Sequence, residues 1–281
     1  MPFTMNTSIN VFNDIVTKVT FLFNKLKIKV TKSTGRPLAI TPEHTIALAL
    51  FKQAQGIETK KSVWEIFKPA CSYKTLVVNM NRFSIHALLI LQAILRMNQG
   101  NAHVIKHTDS TDIPVCLTKN GKYHKTMKPF ATWAHGPKGW YYGVKMSITT
   151  DLNRQLLAVR FGTGNSNDRE TFKKMNKNLM GIFVADAGYI SKDLEREFYI
   201  EHKRILFVKP RANMKKIATE WQIKLYNTRM LIELNFRSLK MFYKLATSLP
   251  RSIDGYLGNY VYSLLAFVQR SPNCLKKNLL L

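Results

Sequence analysis

The sequence predicts an α/β protein in which helices flank a mixed five-stranded sheet and a helical domain precedes it. Two observations carry this. Residues 41 to 97 contain helix-start signals followed by apolar stretches, and from residue 104 the pattern changes to aromatic and β-branched runs broken by polar turns. The order that follows, β-β-β-α-β-α-β-α, describes an antiparallel meander continued by parallel crossovers.

Residues 1 to 37 form a basic segment. VFNDIVTKVTFLFNKLKIKV (11 to 30) mixes apolar and basic residues, as a helix ending near Lys25, Lys27 and Lys29 would, and TKSTGRP is a loop by its Gly and Pro. A helical domain spans 38 to 100. Thr41-Pro42-Glu43 reads as a helix start, with a capping hydroxyl, proline at the first position and an acid in the first turn. Ser62, with Glu65 three residues on, reads as a second start by the capping-box pattern. SVWEIF, a break at Lys68-Pro69, and SYKTLVVNMNRF outline a short helix, a turn and a second helix carrying Lys74 and Arg82. That is the outline of a helix-turn-helix whose second helix would enter a DNA groove, and equally of a plain helical packing domain. SIHALLILQAILRM (84 to 97) is apolar enough to be the helix that closes this domain.

A second domain spans 101 to 272, followed by a tail, 273 to 281. Its strands are expected at 104 to 110, 140 to 150 and 155 to 163, with a turn at 151 to 154. A polar helix from Asp168, a strand at 182 to 186, a helix from Ser191 and a strand at 204 to 210 come next. One continuous helix, 226 to 240, and an amphipathic helix near 253 to 269 complete it.

Composition narrows the function. Lys and Arg number 43 against 17 Asp and Glu, a formal net charge of +26, which points to a polyanionic partner, nucleic acid first. No polybasic block sits beside a long apolar run as a membrane anchor would require, and no stretch approaches the roughly 20 apolar residues of a spanning helix. Cys71, Cys116 and Cys274 lack the spacing of a metal knuckle or disulfide framework, so a reducing cytosol is expected.

In so basic a chain the acids stand out. Asp109 lies in or just past the first strand and Asp186 ends the apolar strand IFVAD. In such a meander the first strand comes to lie beside the fourth, which brings the two carboxylates together, and a hard divalent cation would relieve their repulsion. In the helix 226 to 240, Tyr226, Arg229, Glu233 and Lys240 fall on one stripe at about 100° per residue. Glu233 would complete a cluster able to hold two metal ions for phosphodiester displacement. Arg229 and Lys240 could hold phosphates, and Tyr226 could stack on a base. The plainer readings are a core helix with a Glu–Arg pair and strand-end aspartates that cap turns. His107, His124, Trp133, Trp140 and Cys116 read more simply as structural.

HTDST around Asp109, VADAGY around Asp186, and Tyr226, Arg229, Glu233 and Lys240 with two, three and six residues between them resemble the three blocks of DDE transposases of bacterial insertion sequences. The last block is similar to the Tyr-Arg-Glu-Lys signature of one group of these enzymes. The similarity covers residues about 103 to 270. It implies a ribonuclease-H-like fold, with Asp109, Asp186 and Glu233 as catalytic ligands of two Mg²⁺ or Mn²⁺ ions. It also implies DNA contacts by Tyr226, Arg229, Lys240 and Arg237; Lys74 and Arg82 join them only through the helix-turn-helix outline of the helical domain. Asp112 would support the cluster or replace Asp109 as first ligand. Ser147 and Asn167 stand at or near positions where relatives carry His. Expected partners are element ends and target DNA, with a homodimer on DNA in the bacterial cytosol. Two rivals remain at this point, a transposase-derived DNA-binding protein without turnover and a ribonuclease-H-like nuclease.

Overall fold

A computed structural model describes residues 5–30, 37–208 and 219–270. Five helices come first: α1 (Met5–Lys25), α2 (Pro42–Ala54), α3 (Lys60–Phe67), α4 (Tyr73–Arg82) and α5 (Ser84–Gly100). Strands β1 (Ile105–Pro114), β2 (Thr132–Gly136), β3 (Gly139–Asp151) and β4 (Leu156–Thr163) follow. Then come α6 (Asp168–Asn176), β5 (Ile182–Ala185), α7 (Lys192–His202), β6 (Ile205–Val208), α8 (Glu220–Asn227), α9 (Met230–Met241) and α10 (Ile253–Arg270). The expected tail and residues 209 and 210 lie outside the described residues.

Among the described residues the chain divides into two units. One runs to Ile94 and resumes at Ser238; the other is Leu95–Arg237. The division falls within α5, and the described residues from Ser238 onward, assigned from sequence to the second domain, pack with the N-terminal helices. The cause is non-local: α10 lies against α2 and α4. Tyr262 donates its hydroxyl proton to Met80 O (2.7 Å), and Gln53 Nε2 donates to Asn259 Oδ1 (2.8 Å) and Ser263 Oγ (2.9 Å). Ile46, Leu48 and Leu50 on α2 and Tyr256, Tyr260 and Leu264 on α10 are all buried.

Helix starts follow local chemistry. Thr41 caps α2 through His44 N, with Pro42 in its first turn, and Ser72 caps α4 through Thr75 N. The start of α3 is a correction: Thr59, not Ser62, is the cap, its hydroxyl accepting from Ser62 N (3.0 Å), and Glu65 instead pairs with Lys61 one turn earlier. On α4, Lys74, Val78 and Arg82 form one exposed face at four-residue steps, while Leu76 and Met80 face inward. No single helix among the described residues is long and apolar enough to cross a membrane.

The second unit holds a mixed sheet of six strands, one more than expected, in the order β2-β3-β1-β5-β6, with β4 also paired to β3. The added strand is β2, which hairpins onto β3 through Gly136↔Gly139. The expected meander of β1, β3 and β4 is antiparallel, and β1–β5 and β5–β6 are parallel. Gly181 opens β5 at φ +105°, and a Cβ there would come within 2.3 Å of Val104 O. One sheet face is closed by α6 and α7 over Phe172, Phe183, Tyr189, Leu194 and Phe198. Arg204, 1 % exposed, stacks over Phe198 at 3.9 Å and donates to Asn176 O and Lys177 O.

Candidate active site

The register of β1 and β5 sets the first two acids. His107 pairs with Val184, and continuing that parallel register two residues brings Asp109 level with Asp186, just past the end of β5. Side chains alternate along a strand, so His107, Asp109, Val184 and Asp186 share one face, opposite the one carrying Phe183 and Ala185.

The expected helix 226 to 240 is two helices. α8 ends at Asn227 and α9 starts at Met230, so Tyr226 belongs to the first, Glu233 to the second, and Arg229 to the break. No Pro or Gly marks the break. A side chain holds it: the Thr228 hydroxyl donates to Leu225 O (2.6 Å) and receives His107 Nε2 at 2.7 Å. The hydroxyl's one proton is spent on the carbonyl, so His107 is the donor in that bond. Burial lowers the His107 pKa to about 4, keeping the ring neutral. α9 is buried on one side only: Ile232, Phe236 and Leu239 face inward, whereas Met230 is 60 % exposed. Asn235 is fully buried and accepts from Arg154 Nε (2.8 Å), tying α9 to the β3–β4 turn.

Arg229 is the centre of the arrangement. Its Nη1 lies 3.3 Å from Asp109 Oδ2 and 2.8 Å from Glu233 Oε1, and its Nη2 lies 3.8 Å from Asp186 Oδ2. One planar guanidinium thus faces three carboxylates from a strand, a strand end and a helix. Asp109 Oδ1 also accepts from Ser110 N (2.8 Å). Burial nonetheless raises the Asp109 pKa to about 6, an effect that Arg229 opposes and that Asp186 and Glu233 add to. The Tyr226 phenol stands in the same field; burial, with the nearby acids, raises its pKa. Among the described residues no three His, Cys, Asp or Glu side chains are close enough to hold a metal ion as they stand.

Other predicted residues fall elsewhere. Asp112, three residues beyond Asp109, lies on the opposite face of β1, against Gly136 of β2, and its charge helps raise the pKa of Tyr141, whose hydroxyl donates to Gly164 O (3.2 Å). Arg237 is exposed on α9, one turn after Glu233, and Lys240, in the last turn of α9, falls in the other unit with Lys74 and Arg82. Ser147 is buried on β3 opposite Ser110, and Asn167 is the cap of α6, accepting from Arg169 N. Trp133 packs on Tyr142 at 5.5 Å, and Trp140 is 62 % exposed at the hairpin formed by His135-Gly136-Pro137-Lys138-Gly139. Sequence reasoning undervalued His107 and missed Asn235, a polar residue among apolar ones on α9.

Comparison with known proteins identifies a family. A family described as the transposase DDE domain matches residues 99–253. No curated protein matches the sequence. Solved structures with some likeness include a Mos1 transposase paired-end complex with left transposon end, at 12 % identity over 90 % of this chain and 84 % of that one, with a TM-score of 0.27. A pre-cleavage Mos1 transpososome matches at 12 % identity over 89 % and 84 %, with a TM-score of 0.26. Likeness at these scores carries no weight beside the family match. That match covers more than half of the chain and contains Asp109, Asp186, Arg229 and Glu233, and the chain belongs to the DDE transposases.

Proposed function

We propose that the chain is the transposase of a bacterial insertion sequence, in the Tyr-Arg-Glu-Lys group, with a ribonuclease-H-like catalytic unit. It binds the terminal inverted repeats of its element, cuts a strand there and joins the freed 3′-hydroxyl to target DNA. The observation that carries this reading is the convergence of Asp109, Asp186 and Glu233 on one cationic centre.

The donor set fits a hard divalent cation. All three groups are carboxylates, and one is held buried at a cost that a cation would relieve. In this reading Asp109, Asp186 and Glu233 hold two Mg²⁺ or Mn²⁺ ions. Such ions supply Lewis acidity toward a phosphodiester and acidify a water molecule. The chain's own residues do the positioning. The β1–β5 register holds the two aspartates level, and His107 and Asn235 fix the α8–α9 break and α9 against the sheet. Arg229, once its carboxylates have another counterion, can present its paired N–H groups to a phosphate. Tyr226 then offers a ring or hydroxyl to the DNA end. Arg237 and Lys240 on α9, and Lys74 and Arg82 on α4, hold backbone phosphates. With a net charge of +26, binding weakens steeply with salt. The chain acts as a homodimer on DNA in the bacterial cytosol.

The test is strand cleavage of a duplex carrying the element ends, with Mg²⁺, by wild type and Asp186→Ala. Cleavage should fall about a thousandfold or more in the variant and vanish with a chelator. Equal activity in the two would sink the site. Tight DNA binding with no metal-dependent nicking by wild type would favour a transposase-derived binding protein.

A further inference from the structure

The first unit contains a cavity of about 480 Å³ between α3, α4 and the start of α10, within the range of about 300–1,000 Å³ typical of small-ligand sites. Its charge is lopsided. Lys52, Lys60, Lys61 and Arg251 line it against one acid, Glu58, which Lys244 approaches to 3.6 Å.

Two of these cations are built into the wall. Lys52 is 7 % exposed, and its Nζ donates to Gln53 Oε1 (3.1 Å), an oxygen turned toward it because Gln53 Nε2 donates to Asn259 and Ser263. Lys60 Nζ donates to Asn81 Oδ1 (2.7 Å). Each ammonium carries three donors, so each keeps N–H groups for a ligand. Burial lowers the pKa of both to about 8; at Lys52, the charges of Lys60 and Lys244 lower it further against Glu58.

The 18-residue helix α10 opens onto the same space. Arg251, Ser252 and Gly255 line it, and Ser252 Oγ accepts from Gly255 N (3.1 Å). A Cβ at Gly255 would come within 3.1 Å of Ser252 Oγ and Pro250 Cβ, so the first turn stays narrow. Helix starts favour anions; the acid of this first turn, Asp254, is exposed and does not line the cavity. The lining also carries Tyr73, Val77, Leu249 and Pro250, together with the hydroxyl-bearing Thr59 and Thr247.

We propose that this cavity binds one unpaired nucleotide, its phosphate held by Lys52, Lys60 and the first turn of α10, and its base against Tyr73, Val77 and Leu249. An unpaired nucleotide reaches the cavity either free or within a single strand, and the chemistry is the same. The site uses none of the three acids, so it stands or falls separately from strand cleavage.

The test is calorimetric titration of the full chain in chelator, with thymidine 5′-monophosphate, thymidine, inorganic phosphate and a tetrathymidylate as probes. The monophosphate should bind at least tenfold more tightly than thymidine or phosphate alone. Lys60→Met and Lys52→Met should each weaken it about tenfold, and Lys177→Met, an exposed lysine of the second unit, should not. Binding near pH 8 should take up protons, giving heats that depend on the buffer, because a phosphate raises the pKa of both lysines. Tighter binding of the tetrathymidylate with the same sensitivity to Lys60→Met identifies a strand as the source; preference for the monophosphate identifies a free nucleotide. Unchanged affinity in both lysine variants, or equal affinity for thymidine and its monophosphate, overturns the proposal. Should either variant fail to fold, acetylation of the wild type decides: the monophosphate should slow modification of Lys52 and Lys60, and an absence of protection counts against the site.

Discussion

The acid cluster of the second unit and the lysine cavity of the first are mirror images in charge. In one, Asp109, Asp186 and Glu233 share a single guanidinium; in the other, Lys52 and Lys60 are crowded together with Glu58 as the one acid. Both bury charged groups, and that burial shifts a carboxylate pKa up to about 6 in the first and two lysine pKa values down to about 8 in the second. The difference lies in the relief. Arg229 supplies an internal counterion to the acids, whereas the lysines are held by the neutral amides of Gln53 and Asn81. Burying a charge at a fixed site is a stability cost that a ligand of opposite sign relieves.

The largest effect should come from Glu233→Gln. The side chain is 61 % exposed, so melting temperature should barely move, while end cleavage falls about a thousandfold or more. A large drop in melting temperature would show that Glu233 holds the fold and break the contrast between the sites. Next in size is His107→Ala, which removes a fully buried ring and the bond to Thr228. Chemical denaturation should show a loss of about 2–4 kcal/mol.

Asp109→Asn should abolish cleavage yet stabilise the chain in chelator. A carboxylate whose folded pKa lies above its unfolded value contributes stability below pH 4 that is lost as pH rises through about 6. The gain from Asn should therefore reach about 1–3 kcal/mol at pH 8 and fade toward pH 4. Lys52→Met is the matching experiment with the opposite pH trend. Its ammonium is disfavoured in the fold below about pH 8, and the penalty disappears as pH climbs toward 10.5. The variant should be more stable by about 1–3 kcal/mol at pH 7 and equal to wild type near pH 10.5, as thermal melts across that range would show. The smallest effect should follow Asn235→Ala, which leaves Arg154 without its acceptor, at about 1–2 kcal/mol.

Element order and the pairing of Asp109 with Asp186 were legible in the sequence, because strand alternation and turn residues are local signals and parallel register follows from them. Strand parity, read in the structure, also separates Asp112 from the cluster. What was hidden depends on distant partners. The break at Thr228 has no local breaker; it is held by His107, 121 residues away. The strand β2 was concealed in a short run before Gly136-Pro137, too brief for its alternation to stand out, although Trp133 within it reads as structural. Lys52 looks like any surface lysine until α10 and the α3 region enclose it, and the partner of α2 sits more than 200 positions along the chain.

That last separation affects synthesis. The helical unit is assembled from segments on either side of the acid-bearing unit, with α2 and α4 packed on α10. On the ribosome, the first helices emerge early but their core stays open until α10 has followed, after the whole acid-bearing unit has been made. A chain interrupted after α9 would therefore contain all three acids beside an unfinished helical unit. Such a product would leave Gln53 and the Met80 carbonyl without their partners on α10 and the faces of α2 and α4 that it covers open to solvent, a surface that proteases and chaperones recognise.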